Sequence, residues 1–286
     1  MIRIACFPYQ NIRPLYDAFD GQAVWVWHIP RQLVAYILQS PVELACIPTA
    51  AIPRVRHQYM PWIQLGLAAT GPVRSVLLCS RVPVQRLLHR RIWITPESVT
   101  SVALLTILLR HVWNVDTWQW ADHPQRADAA LLIGDTALFV ATRRGMLPGR
   151  EAYRAVPADG YRWDRVFPPE LWPYIYDLGA AWYRWQGLPF VYAVWVVRND
   201  WKGRERTDWI RRWTRHVMAR QAVLHPTGAW GPPTDAYLHQ FRYVLTAADR
   251  RALHVFLAYL HADCTGIGTG NGTRGYDVYT DMRLRS

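Results

Sequence analysis

Short apolar runs alternate with helix-spaced stretches through the first two thirds of the chain. Residues 2–7, 23–27, 42–47, 63–68, 75–79, 91–95, 129–133 and 190–197 are short, apolar and bounded by turn-forming residues, the pattern of buried strands. Between them, apolar positions recur at helical spacing over 13–19, 30–39, 97–112 and 178–185, with a short proline-bounded helix at 49–55. Pro14, Pro30 and Pro96 each stand near a predicted helix start, where a missing N–H costs nothing. Strand–helix alternation of this kind predicts sheets whose faces are covered by helices. From residue 204 onward only helices are predicted, over 204–224, 234–243 and 246–261. The last opens with Thr246 and Asp249 at the spacing of a capping box. The stretch 147–173, rich in Pro, Gly and aromatics, has no period and reads as loop.

Chain length, at 286 residues, suits two medium α/β lobes. A chain that crosses twice between them divides into 1–84 plus 198–286 as one lobe and 85–197 as the other, with ligand in a cleft at strand C-termini and helix N-termini. Charge changes the picture little. The net +12 comes almost wholly from arginine, Lys202 being the only lysine, and the arginines are scattered in short groups. Scattered arginine fits a solvated surface with one or two residues reserved for anionic ligands, and nucleic-acid binding is not expected. Cys6, Cys46, Cys79 and Cys264 lie far apart, without a CxxC pair or Cys/His ligand spacing. Buried free thiols are therefore expected. The first apolar run is too short for a secretory leader, and no stretch approaches the ~18 apolar residues of a membrane span. The expected location is the cytoplasm.

Four stretches carry candidate chemistry. PYQNIRPL, residues 8–15, places two amides between prolines where a strand hands over to a helix. GPVRSVLL, residues 71–78, is either an ordinary turn into a strand or a place where Arg74 or Ser75 meets a carboxylate. TPESVTSVALL, residues 95–105, gathers Thr95, Ser98, Thr100 and Ser101 at a helix start. One hydroxyl can cap the helix; all four suit an anion held by free N–H groups at its positive end. In LLIGDTAL, residues 131–138, Asp135 can cap a second helix, act as a base, or accept from a substrate hydroxyl. The C-terminal CTGIGTGNGTRG lacks the Gly-Lys-Ser/Thr ending of a phosphate loop and reads as a tail. The ten histidines show no HxxxH or HExxH spacing, and neither a metal nor a cofactor is expected.

These stretches, taken with YDLGAAWYRWQGLPFVYAVW at residues 176–195, resemble five ordered blocks of the chorismate dehydratases of the futalosine route to menaquinone. PYQNIRPL resembles that family's Pro-Tyr-Leu-Asn-Ala-Arg-Pro-Leu motif, with Gln10 in place of Leu. Thr70 stands where the family commonly has Asp, and Thr49 where it has Ser. The resemblance implies the α/β, two-lobed type II periplasmic-binding-protein fold, each lobe a mixed sheet flanked by helices, with the C-terminal helices on the first lobe. It implies loss of water from chorismate to give 3-[(1-carboxyvinyl)oxy]benzoate. Asn11 and Ser75 are then the catalytic candidates, and Tyr9, Thr49, Arg74, Ser98, Thr100, Ser101 and Asp135 the substrate-binding ones. Chorismate is the one implied partner, without nucleic acid or membrane, for a monomer or homodimer. A transport-type or non-catalytic carboxylate binder of the same fold is the alternative. The Pro-Asn-Asp opening of the sister naphthoate synthase is absent.

Overall fold

A computed structural model describes residues 1–12, 15, 23–95, 99–147, 166–223 and 237–265. The chain forms two α/β units, one made of Met1–Thr70 with Leu188–Leu253, the other of Gly71–Gly187 with the chain from His254.

The first unit is a six-stranded mixed sheet. Its strands are β1 (Ile2–Cys6), β2 (Ala23–Trp27), β3 (Leu44–Pro48), β4 (Tyr59–Ala69), β10 (Phe190–Arg198) and β11 (Phe241–Val244), in the order β11-β4-β10-β3-β1-β2. β1 is parallel to β2 and β3, whereas β10 runs antiparallel to both β3 and β4. Every residue of β3 is buried, which explains its unbroken apolar run. Helix α1 (Pro30–Gln39) has proline in its first turn and buries Leu33, Val34 and Ile37, as its spacing predicted. The expected helix at 49–55 is a 3-10 turn, Thr49–Ala51, continued by α2 (Ile52–Val55). Helix α6 (Arg204–Val223) buries Trp209, Trp213 and Val217, four residues apart along one stripe. Trp213 packs edge-on to Trp195 of β10, with ring centroids 4.5 Å apart, and 5.5 Å from Trp62 of β4. Tryptophans far apart in sequence thus fill one core.

The second unit is a five-stranded sheet of β5 (Val76–Ser80), β6 (Arg91–Ile94), β7 (Gln119–Ala121), β8 (Ala129–Ile133) and β9 (Tyr174–Asp177), in the order β7-β6-β8-β5-β9. Helix α3 (Thr100–His111) follows β6, α4 (Gly134–Arg143) follows β8, and α5 (Leu178–Gln186) follows β9. α3 is apolar almost all round, and nine of its 12 residues are buried. The last helix, α7 (Ala247–Thr265), opens with the expected capping box. Asp249 accepts from the Thr246 N–H at 2.9 Å, and the Asp249 N–H donates to Thr246 Oγ1 at 3.2 Å.

Three expectations change. The division falls at 70/71 and 187/188 rather than at 84/85 and 197/198, because β5 hydrogen-bonds to β8 and β9 while β10 pairs along β3 and β4. The terminal helices are not all on the first lobe: from His254, α7 belongs to the second unit, where Phe256 meets Trp182 and Tyr259 meets Trp185. The helix expected over 234–243 ends as strand β11, because Phe241 and Tyr243 are buried at alternate positions on the edge of β4. The helix expected at 13–19 falls, apart from Leu15, outside the described residues, as do most of 147–173 and all of the tail from 266. Cys6, Cys46 and Cys79 are buried free thiols, and burial pushes Cys79 up to about 12. Among the described residues no helix is long and apolar enough to cross a membrane.

Candidate functional site

In the first unit, β1 ends at Cys6, and the chain turns through Phe7–Tyr9 into a 3-10 turn over Gln10–Ile12. The Tyr9 N–H donates to the Phe7 carbonyl at 3.0 Å, and the Ile12 N–H to the Tyr9 carbonyl at 3.1 Å. This tight wrap holds half-buried Asn11 at the C-terminal end of a central strand. The Tyr243 hydroxyl, from β11, donates to the Asn11 backbone carbonyl at 2.8 Å. Burial pushes the Tyr243 hydroxyl well above its usual range, and nearby Tyr237 adds to the shift, so it remains a donor. The Asn11 side-chain Oδ1 is buried and has no hydrogen-bond partner among the described residues. A buried acceptor left so costs roughly 1–3 kcal/mol. In a fixed turn at a strand end, that is the mark of a group held ready for a ligand donor.

Tyr9 is half-buried beside Phe7, with ring centroids 5.4 Å apart. Thr49 leaves the same sheet edge, since β3 is parallel to β1. The residue is wholly buried, and its Oγ1 donates to the Val191 carbonyl at 2.8 Å, tying β3 to β10.

In the second unit the candidates gather on one sheet edge. β5 is antiparallel to β8 and β9, and β6 is parallel to β8, so the start of β5 lies beside the ends of β6, β8 and β9. The Gly134 N–H donates to the Ser75 carbonyl at 2.9 Å, and the Thr95 N–H to the Leu131 carbonyl at 3.3 Å. That edge therefore carries Arg74, Ser75, Thr95 and the first turns of α3, α4 and α5. The starts of α3 and α4 supply N–H groups and partial positive charge there, whereas the start of α5 is capped by a carboxylate. Among the described residues neither α3 nor α4 shows a side-chain cap at its N-cap position. Thr100 and Ser101 occupy the first two positions of α3 and are buried. Thr95 is 7% exposed, and its Oγ1 has no partner among the described residues. Ser98 lies outside the described residues. Asp135 is exposed in the first turn of α4, inside the helix rather than capping it. Among the described residues no group of three or more His, Cys, Asp or Glu side chains could hold a metal.

One residue that sequence reading did not single out organises this edge. Asp177 ends β9 and caps α5, accepting from the Ala180 N–H at 2.9 Å. Its other oxygen accepts from the backbone N–H groups of Val73 at 2.9 Å and Arg74 at 2.6 Å. Burial raises its carboxyl above the ordinary 3.8, against the lowering effect of those N–H groups and the Arg74 charge. The clamp holds Arg74 at φ 61, a left-handed conformation uncommon for a residue with a side chain. An aspartate directly before a helical run was a readable cap signal; the clamp on residues 103 and 104 positions away was not.

The chain matches the profile of a family described as menaquinone biosynthesis over residues 2–262. It belongs to that family. Within the menaquinone biosynthesis family it is similar to a chorismate dehydratase of Thermus thermophilus, with 27% identity over 273 residues, covering 87% of this chain and 91% of the relative. This agrees with the resemblance read from PYQNIRPL and the four later blocks. By fold, the menaquinone-family chain is similar to protein AF1704 from Archaeoglobus fulgidus, with a TM-score of 0.64 at 14% identity over 92% of this chain and 98% of the other. It also resembles the periplasmic aliphatic sulphonate binding protein SsuA from Escherichia coli, with a TM-score of 0.55 at 12% identity over 92% and 86% of the two chains. A third similar structure is the Candida albicans CA3427 product, described as having the generic periplasmic-binding-protein fold, with a TM-score of 0.52 at 11% identity over 94% and 92%. These likenesses establish the fold of this family member.

Proposed function

We propose that this chain is a cytoplasmic hydro-lyase of the futalosine route, converting chorismate to 3-[(1-carboxyvinyl)oxy]benzoate and water. A proton leaves C3, hydroxide leaves C4, the two sum to water, and the ring becomes aromatic. Aromatisation drives the reaction, so the protein supplies position more than strong acid–base chemistry.

The observation that carries this reading is the buried Asn11 oxygen, without a partner among the described residues, in a turn pinned by Tyr243. An amide does not act as a base at neutral pH, but it offers one acceptor and two donors in a fixed plane. Its NH₂ orients the enolpyruvyl carboxylate, which takes the C3 proton, and its Oδ1 accepts from the substrate hydroxyl. On the second unit the residues suited to a carboxylate share one sheet edge. Ser75, Thr100 and Ser101 donate hydroxyl hydrogen bonds, the helix starts donate backbone N–H, and Arg74 supplies the countercharge. Asp135 is a further acceptor for the leaving hydroxyl.

The test is to incubate the purified protein with chorismate and follow the ultraviolet spectrum for the aromatic product. Wild type forms it, and Asn11→Ala slows turnover about a hundredfold, the scale of a lost alignment. Absence of product from folded wild type overturns the dehydratase reading. Wild-type turnover in the variant overturns the role of Asn11 alone.

A further inference from the structure

A second recessed site lies at the opposite edge of the first sheet from Asn11. A groove of about 610 Å³ opens between the start of β4, the end of β10 and the first turns of α6. In the sheet, Met60 is paired with Val197, and Val197 with Leu44 at the start of β3, whereas Asn11 and Thr49 follow the ends of β1 and β3. The length of β3 separates the two edges, roughly 13 Å at 3.3 Å per residue. The groove is therefore no extension of the Asn11 turn.

Its lining has two characters. Met60, Trp62 and Val197 from the sheet and Ile210 from α6 make an apolar wall, with Met60 52% exposed. Among the described residues the charged lining is positive, from Lys202, Arg206 and Arg211. Arg206 is braced by a hydrogen bond from its Nη1 to the Trp201 carbonyl at 3.0 Å. The side chains of Lys202 and Arg211 are exposed. The chain's only lysine thus stands beside two arginines, against half-buried Trp62 and exposed Met60. Three like charges placed together repel each other unless an anion joins them. An apolar wall of this size leaves surface for a hydrophobic body next to that anion.

From this charge and shape we infer that the groove binds an amphiphilic organic anion, an acidic headgroup attached to an apolar chain. The cations take the headgroup, with Lys202 as a point charge and the arginines as forks, while Met60, Trp62, Val197 and Ile210 take the chain. This inference does not depend on the dehydratase reading. Such a headgroup can belong to a free amphiphile or to a lipid in a bilayer surface, and the experiment separates the two.

Octyl phosphate below its micellar concentration is titrated calorimetrically into the full chain, with inorganic phosphate as the comparison. The protein is also sedimented with vesicles of phosphatidylglycerol or of phosphatidylcholine. Lys202→Glu/Arg211→Glu, at exposed positions, leaves the fold intact by circular dichroism; Trp62→Ala tests the apolar wall. Saturable octyl phosphate binding, weakened about tenfold by the charge reversals, supports the inference and assigns a free amphiphile. Sedimentation with phosphatidylglycerol alone, lost in the double variant, supports it and assigns a bilayer headgroup. The inference is overturned if neither probe binds wild type, if the double variant binds as wild type does, or if inorganic phosphate binds as tightly as octyl phosphate.

Discussion

Replacing Asp177 separates its two tasks, capping α5 and clamping the 73–74 turn. Asp177→Ala removes the acceptor of the Ala180 N–H, worth about 1 kcal/mol as an N-cap. It also strands the Val73 and Arg74 N–H groups, at about 1 kcal/mol each. These lost hydrogen bonds sum to about 3 kcal/mol. Asp177→Ser keeps a capping oxygen too short to reach the turn, so it forfeits about 2 kcal/mol of them. Without the clamp, Arg74 relaxes from φ 61 and regains roughly 1–2 kcal/mol by leaving the left-handed region, so the net loss in urea unfolding is about 1–2 kcal/mol for Asp177→Ala and at most about 1 kcal/mol for Asp177→Ser. A substrate that must restore the turn binds correspondingly more weakly, so KM for chorismate rises about tenfold in both variants. The acid limb gives an independent check. Burial raises the folded carboxyl above 3.8, so the folded chain binds the proton more readily than the unfolded chain. This group's contribution to stability therefore falls as pH rises through that interval, and the slope vanishes in both variants. If KM stays within about twofold in both variants while stability drops, the clamp does not position the substrate-binding turn and the reasoning fails.

Tyr243→Phe removes the donor to the Asn11 carbonyl; thermal unfolding should show a loss of about 1 kcal/mol, and the chorismate assay a lower kcat. Arg242→Ala strands wholly buried Asp249, at a cost of about 3 kcal/mol at neutral pH. Burial pushes the Asp249 carboxyl up, but hydrogen bonds from Arg242 and Thr246 outweigh it and hold the group below 3.8. Its contribution is present above 3.8 and lost as pH falls through the folded value, so the gap between wild type and Arg242→Ala in urea unfolding narrows in acid. Gly66→Ala places a Cβ 2.7 Å from the Ala193 carbonyl oxygen, inside the β4–β10 pairing; denaturation should show a loss of about 2–3 kcal/mol or more.

How much of this fold could be read along the chain depends on whether local pattern and tertiary pairing agreed. Helix α1 was legible to its last residue, because Pro30 marks its start and Leu33, Val34 and Ile37 mark its buried face. β8, five buried apolar residues between turns, was equally plain. β7 and β9 are three and four residues long, too short for a period to register, and they exist through pairing with β6 and β5. β11 was misread as helix although Phe241 and Tyr243 alternate inward, because only its partner β4 selects the extended form. The site divides in the same way. Asn11 stood out by motif and the hydroxyls at α3 by clustering, whereas Thr49 became a core tie only through Val191, 142 residues away.

Thr70 shows what a departure from family pattern means once its surroundings are known. It stands where the resembling family commonly has Asp, next to the arginine-bearing turn, and in sequence that invites a change at the substrate. In the structure its exposed Oγ1 accepts from Arg242 Nη1 at 2.9 Å. The same guanidinium donates to both oxygens of Asp249, at 3.2 and 2.5 Å, and Asp249 locks the first turn of α7 through Thr246. With threonine at 70, Arg242 has one full countercharge, and the local group of Arg242, Asp249 and Thr70 is neutral. An aspartate at 70 would divide the arginine between two carboxylates, and the wholly buried one is the costlier to leave underpaired. The hydroxyl thus keeps the charge of Arg242 directed at the α7 cap. Thr70 ties β4 and β11 to the first turn of α7.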